Sequence, residues 1–439
     1  MSTPLYDALT RHLSKGRLSC HTPGHKGQAA LLAPLTALPF DLTELPDTGS
    51  LYDGGDAIEA AERETAAAFG AADTLFSGGG CTLAIQAMLC LASRRGRTIL
   101  MARNAHRSAV HAAALLDLHI IWLCDLSKTA VEAAFAAHPD ARSLYITSPD
   151  YAGRLADIPA LHAVCRRLNA ALLVDNAHGS HLGAFDLHPL ALGADLTADS
   201  AHKTLPVLTG GACLHVARGG LFDGTPRQEL KATMALFGST SPAFPVLASL
   251  DLMQQWWTTE GQEAFRLLET RLQPLKTQIA EAGLSPAFDR CDPVRLTLDC
   301  HDRSATAAAA RLRESGIEPE YADSRFVVLL LSPFHTDEQL AHLQNAIAAI
   351  PLDTLPPGTP SPFSLGLPTA LPEQAIPLRD AALAPCDVVD TASAVGRIAA
   401  ESICPCPPGV AAAVPGERLD NLLIRRLLAA GIDRVTVVR

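Results

Sequence analysis

A basic surface is missing from this chain of 439 residues. Its 35 Lys and Arg stand against 46 Asp and Glu, for a formal charge of −11. Nucleic acid and anionic membranes bind through basic faces, so neither is an expected partner. Also missing is a sustained run of about twenty apolar residues, the length that crosses a bilayer. No basic-apolar-small leader is visible, and Met1-Ser-Thr-Pro-Leu-Tyr-Asp7 reads directly into a helix. The 11 cysteines are an odd number without a paired framework. They suit reduced thiols in the cytoplasm better than a secreted disulfide scaffold. Cys404-Pro-Cys406 has the spacing of neither a zinc knuckle nor a redox pair, and no internal repeat is present. What is there describes a compact protein: 48% hydrophobic and 18% charged residues, in a length that calls for two or three domains.

Residues 1–55 are rich in Gly, Pro, His and Asp and read as an N-terminal arm. From residue 56 to 260, short β-rich runs alternate with helical ones. Thr98–Met101, Ile120–Leu123, Leu144–Thr147 and Ala171–Val174 are the expected strands. Ala57–Phe69, Leu83–Ala92, Val110–Leu116, Ala130–Ala137 and Pro159–Leu168 are the expected helices. Such alternation predicts an α/β domain with a mostly parallel sheet, whose ligands sit beyond the strand C-termini. After a long helical region near Leu247–Ala282, a β-α-β-α set makes 261–350 a smaller α/β domain. The Pro-rich stretch 351–377 reads as a linker. Order returns in a C-terminal domain, 378–439, ending in a helix over Leu419–Ala430 and a strand over Arg434–Val438.

Asp175 closes the expected strand Ala171–Val174, and Lys203 follows some thirty residues later in Ser200-Ala-His-Lys-Thr204. That pairing is what pyridoxal 5′-phosphate (PLP) chemistry needs. A lysine forms a Schiff base with the aldehyde, and a carboxylate keeps the pyridine nitrogen protonated so that the ring accepts electrons. Taken alone, Lys203 reads as a surface lysine; its neighbours change that reading. His178-Gly-Ser-His181, with His188, could also be read as metal ligands, but the ligands lack a matched carboxylate or thiolate and no metal is expected. His21 and His25 lie in a Pro-Gly loop, as turn histidines or as active-site groups at a dimer boundary.

Several blocks stand in the order found in the bacterial ornithine/lysine/arginine decarboxylases, PLP enzymes of fold type I. They include His21-Thr-Pro-Gly-His-Lys-Gly27, Asp41-Leu-Thr-Glu-Leu-Pro46, Arg103-Asn-Ala-His-Arg-Ser108 and Thr147-Ser-Pro-Asp-Tyr-Ala-Gly153. Asp175-Asn-Ala-His-Gly179, Ser200-Ala-His-Lys-Thr-Leu205, Ser239-Thr-Ser-Pro242, Cys404-Pro-Cys-Pro-Pro-Gly409 and Pro415-Gly-Glu417 follow. The chain resembles that family in its short form, without the N-terminal regulator-like domain; about 260–375 matches only in character.

The resemblance implies an aspartate aminotransferase-like large domain and decarboxylation of arginine, lysine or ornithine in polyamine metabolism. It makes Lys203 the Schiff-base lysine, Asp175 the pyridinium partner and His106 the imidazole stacked on the ring. Ala177, His178, Ser200 and His202 belong to the cofactor pocket, with His202 a candidate for proton handling beside Lys203 and His106. Gly80, Cys81 and Thr82, at a helix start, are the candidate phosphate site. Ser239 and Ser241 correspond to hydroxyls that reach the phosphate from a neighbouring subunit, so a homodimer or higher homo-oligomer is expected. Glu401, by analogy with a segment crossing the dimer, and then Glu44 and Asp53 are candidate acids for the substrate's distal cation. Gly79, Cys81, Asn176 (for the family's Glu) and Gly210-Gly211 (where a Gln is common) depart from the family pattern. An aminotransferase, an aldolase and a non-catalytic homologue forming mixed dimers remain alternatives; an aminotransferase would place an arginine to clamp the α-carboxylate, and no candidate stands out.

Overall fold

Short strands buried on both faces form the centre of the molecule. The computed structural model describes residues 16–20, 49–53, 56–350, 354–358, 367–368, 370–404 and 410–439. Strands are numbered along the chain: β1 Leu18–Cys20, β2 Ala71–Ser77, β3 Thr98–Ala102, β4 His119–Leu123, β5 Ser143–Thr147, β6 Ala171–Asp175, β7 Leu196–Asp199 and β8 Ala212–Ala217. Seven of them form one sheet in the order β2-β8-β7-β6-β5-β3-β4. β3 to β7 are parallel, and β8 runs antiparallel to both its neighbours. The four strands expected from the sequence are β3 to β6. β2, β7 and β8 carry Asp, Ser, Ala or His among their apolar residues, which blurs the run that marks a strand.

Alternation sorts each strand between two cores. Met101, Tyr145 and Leu173 face the helices Gly80–Ser93, Arg107–Leu115 and Arg227–Ala235. Leu100, Leu144, Ile146 and Leu172 face Lys128–Ala137 and Ile158–Arg167. Each fully buried Leu or Ile contributes about 1.5–3 kcal/mol, so register is strongly specified. Three of these helices start on side-chain caps, His106 accepting from Ser108 N–H, Ser127 from Ala130 N–H and Asp157 from Ala160 N–H.

Beyond the sheet, helices Phe244–Trp256 and Gln262–Glu281 run on through one π turn at Trp257–Gly261. β9 Arg295–Asp299, β10 Ile317–Pro319, β11 Tyr321–Ala322 and β12 Phe326–Leu330 follow, with helices Ala305–Glu314 and Asp337–Ala348. β11-β12-β9 is a small antiparallel sheet, while β10 pairs in parallel with β1. β13 Cys386–Asp390 and β14 Arg434–Val438 form an antiparallel pair beside helix Asn421–Ala429. This C-terminal segment has its own core, including Ile403, Leu419, Leu427 and Val437. A buried Arg103–Glu417 ion pair at 2.7 Å ties it to the large sheet. Among the described residues no helix is long and apolar enough to cross a membrane.

Candidate active site

β6 ends at Asp175 and β7 at Asp199, on the same edge of the sheet. A parallel successor to β7 would need a crossover back to the opposite edge before re-entering the sheet. β8 is antiparallel, so the chain re-enters at the same edge, and residues 200–211, with the one-turn helix Ala201–Thr204, stay there. Lys203 is thereby held beside Asp175. On the same face, Tyr145 and Thr147 stand opposite Leu173 and Asp175 in the β5–β6 register.

The cavity at this edge measures about 240 Å³. Lys203, Asp175, His106, Ala177 and His178 line it, and so do Ser200, His202, Gly80, Cys81 and Thr82. Every residue expected on the cofactor side except Ser239 and Ser241 therefore meets in one place. Those two serines are exposed, with Ser241 N–H donating to Ser239 Oγ at 3.1 Å, and do not line the cavity of their own chain. Glu401 is exposed and accepts from the Thr436 hydroxyl. Asp53 is exposed and accepts from the Ser50 hydroxyl at 3.0 Å. Glu44, His21 and His25 lie outside the described residues.

Lys203 Nζ lies 2.9 Å from His178 Nε2. Burial lowers the lysine's pKa, with Asp175 opposing the effect. Asp175 is 2% exposed. Its carboxylate accepts from Ala177 N–H at 3.1 Å and from the Tyr145 hydroxyl at 3.2 Å. Burial raises its pKa above the ordinary carboxylate range, against the pull of Lys203 and these two donors. His106 caps helix Arg107–Leu115, its Nδ1 accepting from Ser108 N–H at 3.2 Å. A backbone N–H only donates, so the neutral ring carries its proton on Nε2. Burial, then Lys203 and Arg107, lower His106 to about 4. The imidazole is neutral at physiological pH.

The departures from the family pattern have local reasons. Asn176 Nδ2 donates to Asp199 Oδ2 at 2.6 Å, and His188 Nε2 lies 2.9 Å from the same oxygen. A glutamate at 176 would set a second carboxylate against Asp199; the amide supplies a donor instead. Gly210 has φ +96°, its carbonyl accepts from Gly80 N–H at 2.8 Å, and a Cβ there would lie 3.3 Å from Gly78 O. The glycine loops at 78–80 and 210–211 thus pack against each other. Cys81 turns its thiol to Ala198 O at 3.3 Å, and burial pushes that thiol up. His181 is in the core, 2.9 Å from Asp292 Oδ1.

Sequence reasoning did not single out Asn104, Thr147, Asp150, Tyr151 or Val410, which also line the cavity, nor Tyr145 and Arg295. The signal for most of them lay in blocks already recognised: Asn104 beside His106, and Thr147 to Tyr151 in one run. Tyr145 is two residues before Thr147, hence on the same strand face. Arg295 had no local signal. It donates to His178 O at 3.2 Å, and it does not line the cavity, so it is not an α-carboxylate clamp in this arrangement. Val410 forms a bridge with His106, bringing the C-terminal segment to the cavity of its own chain.

Comparison with known proteins agrees with this geometry. A family model described as Orn/Lys/Arg decarboxylase, major domain, matches residues 3–282, and that family's C-terminal domain matches 368–431. The chain is 30% identical to the Uncharacterized protein YaaO of Bacillus subtilis, over 97% of this chain and 94% of that protein. It is 28% identical to the arginine decarboxylase of Bacillus subtilis, over 94% and 91% respectively. The solved structure of lysine decarboxylase A from Pseudomonas aeruginosa shares the fold, with TM-score 0.74 and 20% identity over 99% of this chain and 80% of that one. The chain belongs to the Orn/Lys/Arg decarboxylase family, has the fold of type I PLP-dependent enzymes, and is an amino-acid decarboxylase.

Proposed function

We propose that the cavity holds PLP and that the enzyme removes the α-carboxylate of a basic amino acid, arginine, lysine or ornithine, as CO₂. One observation carries the reading: a buried carboxylate and a lysine amine share a cavity without neutralising each other. Among the described residues no cation lies within ion-pair distance of Asp175 and no carboxylate within that distance of Lys203. A buried acid left in this state has room for an N–H⁺ partner. Asn104 Oδ1 and Thr147 Oγ1 are buried there without hydrogen-bond partners. Gly80 to Thr82 open the 14-residue helix Gly80–Ser93, whose dipole favours a phosphate at its first turn, Gly80 N–H being already given to Gly210 O. The residues fit the cofactor.

Lys203 would hold PLP through its aldehyde and give it up to the substrate's amine, and the cofactor would then supply an electron sink for the pair left behind as CO₂ departs. Asp175 would hold the proton on the ring nitrogen, and its buried position makes that attraction stronger than water would allow. His106, neutral and fixed by Ser108, would cover the ring. Lys203 and His202 are the groups in reach to return a proton to Cα. Relatives named arginine decarboxylase and lysine decarboxylase support those two amino acids as the first to test. Ser239, Ser241 and Glu401 are exposed and would act from a partner copy, so the working unit in this reading is a homodimer. A cytoplasmic setting and a role in polyamine synthesis belong to the same proposal.

The test is full-length protein with PLP, supplied separately with arginine, lysine and ornithine, with CO₂ and the amine both measured. Stoichiometric CO₂ and amine from one of them is the expected result. An oxo acid without CO₂ would point to an aminotransferase, and no turnover of any of the three would overturn the reading.

A further inference from the structure

Arg295 sits on β9, 7% exposed, outside the cavity yet one residue removed from Lys203. Its NH1 donates to Tyr151 O at 3.1 Å and lies 3.3 Å from His178 Nδ1, while NH2 donates to His178 O at 3.2 Å. His178 Nε2 in turn lies 2.9 Å from Lys203 Nζ. The guanidinium is itself held in place. Asp292 Oδ2 is 3.7 Å from its Nε. Gly153, at φ +89°, leaves the space its stem occupies, since a Cβ there would fall 2.9 Å from Arg295 Cδ.

We propose that Arg295 fixes the tautomer of His178, so that His178 donates from Nε2 to Lys203 and selects the neutral amine. Donor inventory dictates the direction of this relay. A guanidinium has five N–H donors and no acceptor, so His178 Nδ1 facing NH1 must accept. NH1 has two hydrogens, one for Tyr151 O and one for Nδ1. A neutral imidazole carries a single N–H, which is then on Nε2. That N–H points at Nζ and needs a lone pair there. An ammonium has three hydrogens and no lone pair; a neutral amine has one. Protonating Lys203 therefore sets donor against donor, unless His178 moves its proton to Nδ1 against Arg295.

The surroundings agree with this direction. Burial, then Lys203 and Arg295, keep His178 from taking a second proton, with His106 and His202 adding to the effect. Lys203 is faced by Asp175 from β6, Cys81 from helix Gly80–Ser93, Glu320 from the turn before β11 and Arg295 from β9. Asp175, Cys81 and Glu320 favour the ammonium, while burial and Arg295 oppose it. Only a neutral amine attacks an aldehyde, so the relay holds the lysine ready for attachment. Arg295 is a positioning residue, acting through His178.

The inference rests on Lys203 being the reactive amine of the proposed function, but its test needs no decarboxylation. Full-length protein stripped with hydroxylamine is treated with cyanate over a pH series, and Lys203 carbamylation is followed by peptide mass spectrometry. Arg295→Met, which has neither charge nor donor, is expected to raise the midpoint for Lys203 by about one pH unit, roughly tenfold slower reaction at neutral pH. Arg295→Gln keeps a donor without the charge, and is expected to stay within about threefold of wild type at that conversion between pH and rate. Equal slowing in both variants would assign the effect to charge alone and overturn the proposal, as would no slowing in Arg295→Met. Should Arg295→Met not fold, the ¹⁵N-histidine spectrum of wild type decides, with His178 identified by the signal lost in His178→Gln. Nε2–H is expected there, and Nδ1–H would overturn the proposal.

Discussion

Asp175 and Asp199 end adjacent strands of one sheet, both almost wholly buried, and the protein treats them in opposite ways. Asp199 has two partners on one carboxylate oxygen, the Asn176 amide and His188, and its other oxygen is buried without a hydrogen bond. Burial pushes its pKa up, but His188 and His215 outweigh that and hold the acid below its ordinary range. Asp292 repeats the pattern, with burial overcome by His181 and Arg295 to leave it at about 2. Asp175 has only neutral donors, and burial wins. Where the fold is complete, buried charge is compensated within the chain. At Asp175 it is not, and the same edge carries Lys203, the amine of the proposed reaction.

The strongest way to break this contrast is to remove the lysine. Lys203→Ala should abolish CO₂ release, on the order of 10⁴-fold or more, the scale on which loss of a covalent nucleophile acts. The melting temperature of the cofactor-free protein should be unchanged. Substantial activity in that variant would show that the nucleophile lies elsewhere. The acids come next. Asp175→Asn should cost on the order of a hundredfold or more in turnover, as removal of a preorganised electrostatic partner does. It should leave the cofactor-free protein as stable or more so, because a costly buried charge disappears. Asp199→Asn breaks a buried pair and should destabilise by about 3–5 kcal/mol. The sign of each effect differs with pH. The depressed pKa of Asp199 gives stability present above the unfolded value, near 4, and lost as pH falls below it. The raised pKa of Asp175 gives a penalty that grows as pH rises through its folded value. Urea unfolding of the three proteins at pH 7 checks the ordering, and equal losses for both acids would erase the distinction between them.

That contrast also marks what the sequence could convey. Lys203, Asp175, His106 and the 80–82 helix start were legible because each stands in a short run at the end of a regular element, and strand periodicity then sends them to one edge. Arg295 and Tyr145 were not. Arg295 is 117 residues from His178 in the chain, and only the docking of the small sheet brings them together. Tyr145 looks like any apolar strand residue until the β5–β6 register, which pairs it with Leu173, lets its hydroxyl donate to Asp175 at 3.2 Å. The antiparallel β8 was hidden for a similar reason. Its antiparallel direction is what keeps the 200–211 connection, and Lys203 with it, at the cavity, but a run of Ala-Cys-Leu-His does not declare a direction.

A smaller effect distinguishes the histidines from the acids. His106 and His215 are both lowered to about 4, chiefly by burial, from an ordinary value of 6.5. A histidine whose folded pKa is depressed costs stability as pH falls from the unfolded value toward the folded one. Each would cost up to about 3 kcal/mol at the bottom of that window, the half-buried His106 less. Cofactor-free protein should therefore lose stability between pH 6.5 and 4, well above the range where Asp292 releases its contribution. His106→Phe should flatten part of that slope in urea melts, and an unchanged slope would show that His106 is not kept neutral by its surroundings.

The smallest expected effect belongs to Glu401, on the substrate side, where the chain's own geometry supplies least. Glu401 is exposed and engaged with Thr436 inside the C-terminal segment. It lies near enough to His111, on the helix that His106 caps, to oppose the lowering of that histidine's pKa by burial and Arg107. An exposed ion pair contributes at most about 1 kcal/mol, or roughly fivefold in affinity, and salt screens it. If a partner's copy of this acid meets the distal cation of the substrate, Glu401→Gln should raise KM two- to fivefold by that reckoning, leave kcat alone, and lose its effect as salt is added. Lys203→Ala and Glu401→Gln mixed together should then form dimers in which the defects separate: the one site with an intact lysine faces a Lys203→Ala neighbour that still supplies Glu401. That site should recover the wild-type KM at low salt. A KM unchanged by Glu401→Gln at low salt removes this acid from substrate recognition and leaves the distal cation to be met within the cavity wall, where Asp150 and Tyr151 are polar candidates.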